Sequence, residues 1–170
     1  VIEVPNVEDY DEIPLKLRSV YKVAEASDDQ STKNGAMLLC EGWNLLTGFN
    51  HIMEGYGHLP EHHERPFKYW ITEHSERDVI LKAAKKGIKT EGLTLVANWV
   101  ACPDCARAIV EAGICCVVCH KQCQDRTPER WRDMIDAGLA ILRSGGVQLV
   151  EWDGKIGDCR NLNNGKYWSP

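Results

Sequence analysis

The sequence predicts a three-layer α/β/α domain built around a mixed five-stranded sheet. Three observations lead there. Helical and strand-like apolar periods alternate along most of the chain, two of the strand segments form a hairpin while the others are separated by helices, and the length suits one core. With 170 residues, 44% hydrophobic and 26% charged, the chain can close one core without staples and is too short for two enzymatic domains. The whole of 1–170 is therefore read as a single domain, with its core at about 13–152 and a polar, irregular tail at 153–170.

Over 13–26, Leu17, Val20, Tyr21 and Ala24 recur at three- and four-residue spacing, which predicts an opening amphipathic helix that stops near Ser27-Asp28-Asp29. Ala36 to Cys40 and Trp43 to Phe49 flank Glu41-Gly42 and predict a β-hairpin whose second strand ends at Asn50. Residues 51–73 carry four of the six histidines and no sustained period, so a long loop is expected, and long ordered loops tend to be functional. Val79, Ile80, Ala83 and Ala84 mark a second helix from Ser75 to Lys86, stopped by Gly87. Leu93 to Ala97 reads as a short buried strand, Pro103 to Ala112 as a third helix, and Ile114 to Cys119 as an interior strand. Pro128 opens a fourth helix with Trp131, Met134, Ile135, Gly138, Leu139 and Leu142 on one face, and Val147 to Trp152 is the last strand.

Twenty Lys+Arg against 25 Asp+Glu give a formal net charge of −5, which excludes a broad basic surface for a long nucleic acid but leaves room for one small anion. No apolar run approaches the ~20 residues of a membrane span, and no export signal is visible at the N-terminus. The eight cysteines then point to metal binding or reduced thiols rather than disulfides.

Two short motifs stand at helix starts: His74-Ser75-Glu76 and Cys102-Pro103-Asp104-Cys105. Either alone is weak, since H-x-E recurs by chance and C-x-x-C also suits redox pairs and structural zinc half-sites. In this order, with a strand between them and a helix after each, they match the signature of zinc nucleobase deaminases. His74, Cys102 and Cys105 supply the three protein ligands of a catalytic Zn²⁺ site. With Cys102 as N-cap and Pro103 in the first turn, Cys105 falls where its sulfur can reach the same ion, and free backbone N–H groups favour thiolates. Two thiolates cancel the zinc charge, so a nearby base is needed; Glu76, not itself a ligand, is the candidate proton shuttle.

Beyond these motifs, Ser27-Asp28, Thr32-Lys33-Asn34-Gly35-Ala36, Gly48-Phe49-Asn50, Arg65-Pro66-Phe67-Lys68-Tyr69 and Cys105-Ala106 leading to Glu111-Ala112-Gly113-Ile114 resemble the deoxycytidylate (dCMP) deaminases, particularly those of phages. The likeness runs roughly from Leu15 to Trp152. It implies a cytidine-deaminase-like fold and conversion of dCMP to dUMP and ammonia. It also implies a homohexamer, activation by dCTP with Mg²⁺ and inhibition by dTTP, and a cytoplasmic location, in the host if the chain is viral. Carried over by position, it puts Asn50 on the deoxyribose and Ser27 and Lys33 near the 5′-phosphate; His120, just past the interior strand, is read as adding positive charge there, and Ala101 as a substrate contact. The chain departs from the family pattern at Ala101, where a proline is usual, at Ser75 and Asp78 within the usual His-Ala-Glu-x-Asn, and at His51-Ile52-Met53-Glu54-Gly55, where the family has part of its allosteric site. The tyrosine that relatives often carry near His120 is not evident.

The remaining cysteines are read as packing residues, because Cys115 to Cys119 lie in one strand, whose side chains alternate faces. By resemblance, His62 and His63 are the candidates for a second, structural zinc. Trp131 is read as a helix-packing residue, and Glu73 and Asp78 as caps or surface charges. Alternatives to dCMP within the same chemistry are a 5-substituted dCMP, cytidine or deoxycytidine, and a tRNA adenosine; outside it, a non-catalytic zinc-stabilised binding module.

Overall fold

The structure is a computed structural model, and it describes residues 12–170. The expectation that no export signal heads the chain concerns the segment before residue 12 and lies outside the described residues. Helix α1 (Ile13–Ala24) leads into strands β1 (Gly35–Cys40) and β2 (Trp43–Phe49), a hairpin as the sequence predicts. Next come β3 (His51–Ile52), helix α2 (Lys68–Ile71), β4 (Thr72–Glu73) and helix α3 (Ser75–Lys86). Strand β5 (Thr94–Ala97), helix α4 (Pro103–Glu111), strand β6 (Cys116–His120), helices α5 (Lys121–Gln124) and α6 (Arg132–Ser144) and strand β7 (Gln148–Trp152) complete the core. The short strands β8 (Asn161–Asn163) and β9 (Lys166–Trp168) close the chain.

The central sheet runs β2-β1-β5-β6-β7, with β1 antiparallel to β2 and β5, and β5, β6 and β7 parallel, so it is mixed and five-stranded. Alternation along β1 sorts its residues between two cores. Met37 and Leu39 pack with Leu17, Val20 and Tyr21 of α1, while Ala36 and Leu38 pack with Val79 of α3 and Ile109 of α4. Cys116 joins the α1 side, and Cys119 packs with Ile135 and Leu139 of α6. Those thiols are thus divided between layers.

Four expectations change. The 51–73 segment is not all loop: β3 pairs antiparallel with β4, and Pro60–His63 form a 3-10 turn before α2. Helix α6 starts at Arg132 rather than Pro128, whose extended backbone (ψ 145°) instead caps a 3-10 turn over Glu129–Trp131. Met134 is exposed, and Trp131 meets Tyr69 edge-to-face at 5.4 Å instead of packing in the helix core. The tail is not irregular: β8 and β9 form a hairpin across Asn164-Gly165, both at positive φ (49° and 76°), the left-handed pair that a two-residue primed turn requires.

No helix among the described residues is long and apolar enough to cross a membrane. One close approach couples core packing to the motif region. A Cβ on Gly138 of α6 would lie 2.1 Å from the Ala101 carbonyl oxygen, so α6 rests directly on the backbone that precedes Cys102. Gly138→Ala should destabilise the fold by about 1–3 kcal/mol through overpacking, read as a lower urea midpoint with an unchanged slope.

Candidate active site

Helices α3 and α4 begin side by side. His74 is the N-cap of α3 with extended backbone (φ −85°, ψ 151°), and Cys102 is the N-cap of α4 (φ −67°, ψ 169°), followed by Pro103 at the start of the helix. Glu73, paired with His51 across β3 and β4, accepts the His74 N–H at 2.9 Å and Arg77 Nε at 2.6 Å, which fixes the approach to α3. The result is that His74 Nδ1 lies 3.4 Å from Cys102 Sγ and 3.5 Å from Cys105 Sγ. A tetrahedral zinc with ordinary Zn–N and Zn–S bonds spans an N···S edge of about 3.5–3.6 Å. All three ligand atoms fall within 4.8 Å of one another, and no other group of three histidine, cysteine or carboxylate side chains does so among the described residues. The donor set therefore fits one zinc ion.

The electrostatics agree with that fit. A hydrogen bond with Cys105, with His74 beside it, holds the Cys102 thiol down to about 4 against burial. The same pairing, together with burial, pushes Cys105 well up, and a metal cation bound at its sulfur would favour loss of that proton. Burial would lower His74, but Cys102 raises it. Glu76 is 6% exposed, one Oε accepts the Ser75 hydroxyl at 3.0 Å, and burial pushes its carboxyl above the ordinary range.

His74 and Cys102 line a cavity that also touches Thr32, Asn50, Tyr69 and Trp131. Its apolar side is Trp99, Val100, Pro128 and Ile135, and its cations are Arg65, Lys68 and Arg130. Lys68 is committed to a buried pair: its Nζ meets the Asp29 carboxylate at 2.8 and 3.0 Å and the Ser31 hydroxyl at 2.9 Å. Asp29 in turn accepts the N–H groups of Ser31 (2.7 Å) and Thr32 (3.0 Å). Neither Arg65 nor Arg130 has a carboxylate partner among the described residues.

Of the expected substrate residues, Asn50 lines this cavity, and its side chain also braces the cavity loop, accepting the Asn34 N–H (2.7 Å) and donating to the Thr32 carbonyl (2.8 Å). Ala101 is buried beneath α6, between the cavity residues Val100 and Cys102. Three others are placed elsewhere. Lys33 Nζ donates to the carbonyls of Glu25 and Ser27 at the end of α1, where the helix dipole draws a cation. Ser27 is buried, its hydroxyl accepting the Asp29 N–H at 3.2 Å. His120 is fully buried, bonded to the Tyr21 hydroxyl (2.7 Å) and the Gly154 carbonyl (2.9 Å). For the second zinc, His62 Nδ1 meets the Gly57 carbonyl at 3.1 Å and His63 stacks on His58 at 5.7 Å, with no third ligand converging among the described residues. Arg65, Lys68 and Arg130 also line the cavity; no residue type or spacing in the sequence singles them out, although Arg65 and Lys68 stand in Arg65-Pro66-Phe67-Lys68-Tyr69.

Fold and site define a class, the zinc-dependent hydrolytic deaminases. The chain belongs to the cytidine and deoxycytidylate deaminase family, whose zinc-binding region matches residues 14–121. It is 32% identical over 128 residues to the uncharacterized deaminase in the luxG 3′ region of Aliivibrio fischeri, covering 75% of this chain and 84% of that one. It is 27% identical over 178 residues to the deoxycytidylate deaminase of Enterobacteria phage T2, covering 81% and 93%. The dCMP deaminase of cyanophage S-TIM5, crystallised with dCMP and dUMP, shares the fold with a TM-score of 0.68 at 22% identity, over 85% of this chain and 98% of that one.

The Asp29–Lys68 pair gives two expectations. Lys68→Met leaves a buried carboxylate unpaired and should cost about 3–5 kcal/mol in denaturant unfolding. Burial pushes Asp29 up, but Lys68 and the Ser31 and Thr32 N–H groups outweigh it and hold the carboxyl below its ordinary value. A carboxyl lowered in the fold stabilises it above the unfolded pKa and stops doing so as pH falls through the lowered folded value. The gap in Tm between the parent and Asp29→Asn should therefore be full at pH 7 and close as pH falls below the ordinary aspartate range.

Proposed function

We propose that this enzyme hydrolyses dCMP to dUMP and ammonia, supplying dUMP for thymidylate synthesis. The observation that carries the reading is one cavity lined both by His74 and Cys102 of the three-residue metal cluster and by two arginines, Arg65 and Arg130, without carboxylate partners among the described residues. A planar base against Trp99, Val100, Pro128 and Ile135 and a phosphate at the arginines together describe a pyrimidine monophosphate. The T2 and S-TIM5 relatives, both named as acting on this substrate, support the choice.

His74, Cys102 and Cys105 would hold the zinc, which when bound would position and polarise the attacking water and leave its deprotonation to a nearby base. Glu76, whose carboxyl burial raises, would take one proton from the attacking water and deliver it to the ring nitrogen beside the amino-bearing carbon, then take the second from the hydroxyl now on that carbon and deliver it to the amine, which leaves as ammonia while the carbonyl forms. The apolar wall keeps bulk water from the ring.

The family resemblance extends the proposal to a homohexamer in the cytoplasm, activated by dCTP with Mg²⁺ and inhibited by dTTP. The altered His51–Gly55 segment is hydrogen-bonded to the strand that ends at Glu73, and Met53 N–H donates to the Ile71 carbonyl at 2.8 Å, so an effector there would act one residue from His74. Mass in solution, and dCMP kinetics with each triphosphate, test these points.

Glu76→Gln should retain zinc and lose about 10²- to 10⁴-fold in kcat on dCMP, measured by ammonia release. Full activity in this variant would remove the shuttle. The parent should prefer dCMP to deoxycytidine by at least about 10-fold in kcat/KM, the worth of one charge-assisted contact. Equal turnover of the two would replace the monophosphate reading with a nucleoside one.

A further inference from the structure

The hairpin of β8 and β9 lies beyond the stretch that matches the family, residues 14–121, yet it forms part of the cavity wall. It is fastened to the core at one end and to the cavity loop at the other. Trp168 stacks on His120 at 5.9 Å with an interplanar angle of 17°, meets Tyr21 edge-to-face at 6.1 Å, and carries the Arg126 guanidinium 4.2 Å above its ring. Leu162 and Asn163 are buried.

Toward the cavity, the hairpin grips residues 31–33 through their backbone and one hydroxyl. The Gly165 N–H donates to the Ser31 carbonyl (2.7 Å), the Asn164 N–H to the Thr32 hydroxyl (3.1 Å), the Lys33 N–H to the Leu162 carbonyl (2.9 Å), and Asn161 Nδ2 to the Lys33 carbonyl (2.7 Å). From the other side the same loop is held by Asn50 and by the Asp29–Lys68 pair. The turn residue Asn164 does one thing more: its side-chain oxygen accepts Arg130 at 2.8 Å. Arg130 is otherwise an exposed arginine in a 3-10 turn, and this bond ties it to an element that cannot swing independently of the cavity loop.

We infer that the C-terminal hairpin is a substrate-recognition element: it sets the cavity loop at Ser31 and Thr32 and aims Arg130 at the phosphate of a nucleoside 5′-monophosphate. This rests on the proposed deaminase reading for its ligand class and deepens it by naming the element that holds the phosphate-binding arginine in place. Arg130 binds the phosphate, and Asn164 is a positioning residue that acts through it. A mobile arginine loses rotamer freedom on binding, whereas one already held by Asn164 loses less, so the bond favours the bound state.

The test uses the zinc-loaded full chain and measures binding of dUMP and of deoxyuridine by calorimetry, alongside dCMP kinetics. Arg130→Gln should weaken dUMP binding about 10- to 100-fold, the size of one charge-assisted hydrogen bond, leave deoxyuridine unchanged, and raise KM for dCMP far more than it lowers kcat. Arg130→Lys should recover part of the loss. Asn164→Ala should weaken dUMP in the parent and have no further effect in Arg130→Gln. Equal weakening of dUMP and deoxyuridine, or an Asn164→Ala effect that persists without Arg130, would overturn the inference by showing a structural role only. Failure of the two proposals is distinguishable. A parent that binds dUMP through Arg130 but does not deaminate dCMP would sink the proposed reaction alone, and normal dCMP turnover with an unchanged dUMP-to-deoxyuridine ratio in Arg130→Gln would sink the hairpin alone.

Discussion

Two helix N-termini meet at one point, and the site follows from that meeting. His74 and Cys102 each occupy an N-cap, where the backbone is still extended and the side chain is free to turn across the helix end. The β3–β4 pairing holds Glu73, Glu73 holds the His74 N–H, and the packing of α3 and α4 on the same face of β1 and β5 brings the imidazole within 3.4–3.5 Å of both sulfurs. Exposed N–H groups at both helix starts favour negative charge, which is what thiolates and a carboxylate bring. Gly138 lets α6 cover this junction without a side chain in the way.

The charge arithmetic of the junction explains why Glu76 stands where it does. Two thiolates and an imidazole neutralise a divalent zinc, leaving little net charge to acidify water, so a base must be close and must hold a proton readily. Burial raises Glu76 toward that condition. For the cations that line the same cavity the logic reverses. The chain carries a net charge of −5, yet the cavity keeps Arg65 and Arg130 free of carboxylates among the described residues. Net charge weighs against a long polyanion, and the two arginines are the local charge on which the proposed phosphate site rests.

What could be read from the sequence was what is local. His74-Ser75-Glu76 and Cys102-Pro103-Asp104-Cys105 are each held within a few residues of one helix start, and the helix and strand periods of 13–24, 75–86 and 116–120 lie in single elements. Longer-range choices were hidden. Lys33 had the right charge for a phosphate, but the carbonyls at the end of α1 are nearer and claim it. His120 sits where a strand ends near the site, but Tyr21, Trp152 and Trp168 enclose it. The partner of Lys68 is Asp29, 39 residues away, a distance at which no spacing rule operates. Asn164-Gly165 is a hairpin signal in its own right, but strands of three residues are too short to show a period of two.

The whole site depends on His74, Cys102 and Cys105 sharing one zinc ion. X-ray absorption at the zinc edge of the purified full chain measures it directly, because sulfur and nitrogen scatterers are resolved by their bond lengths. The expected result is one zinc per chain with two sulfur ligands at about 2.3 Å and lighter ligands, one of them imidazole, at about 2.0–2.1 Å. Four sulfur ligands, or a zinc content that survives loss of Cys102, would contradict it.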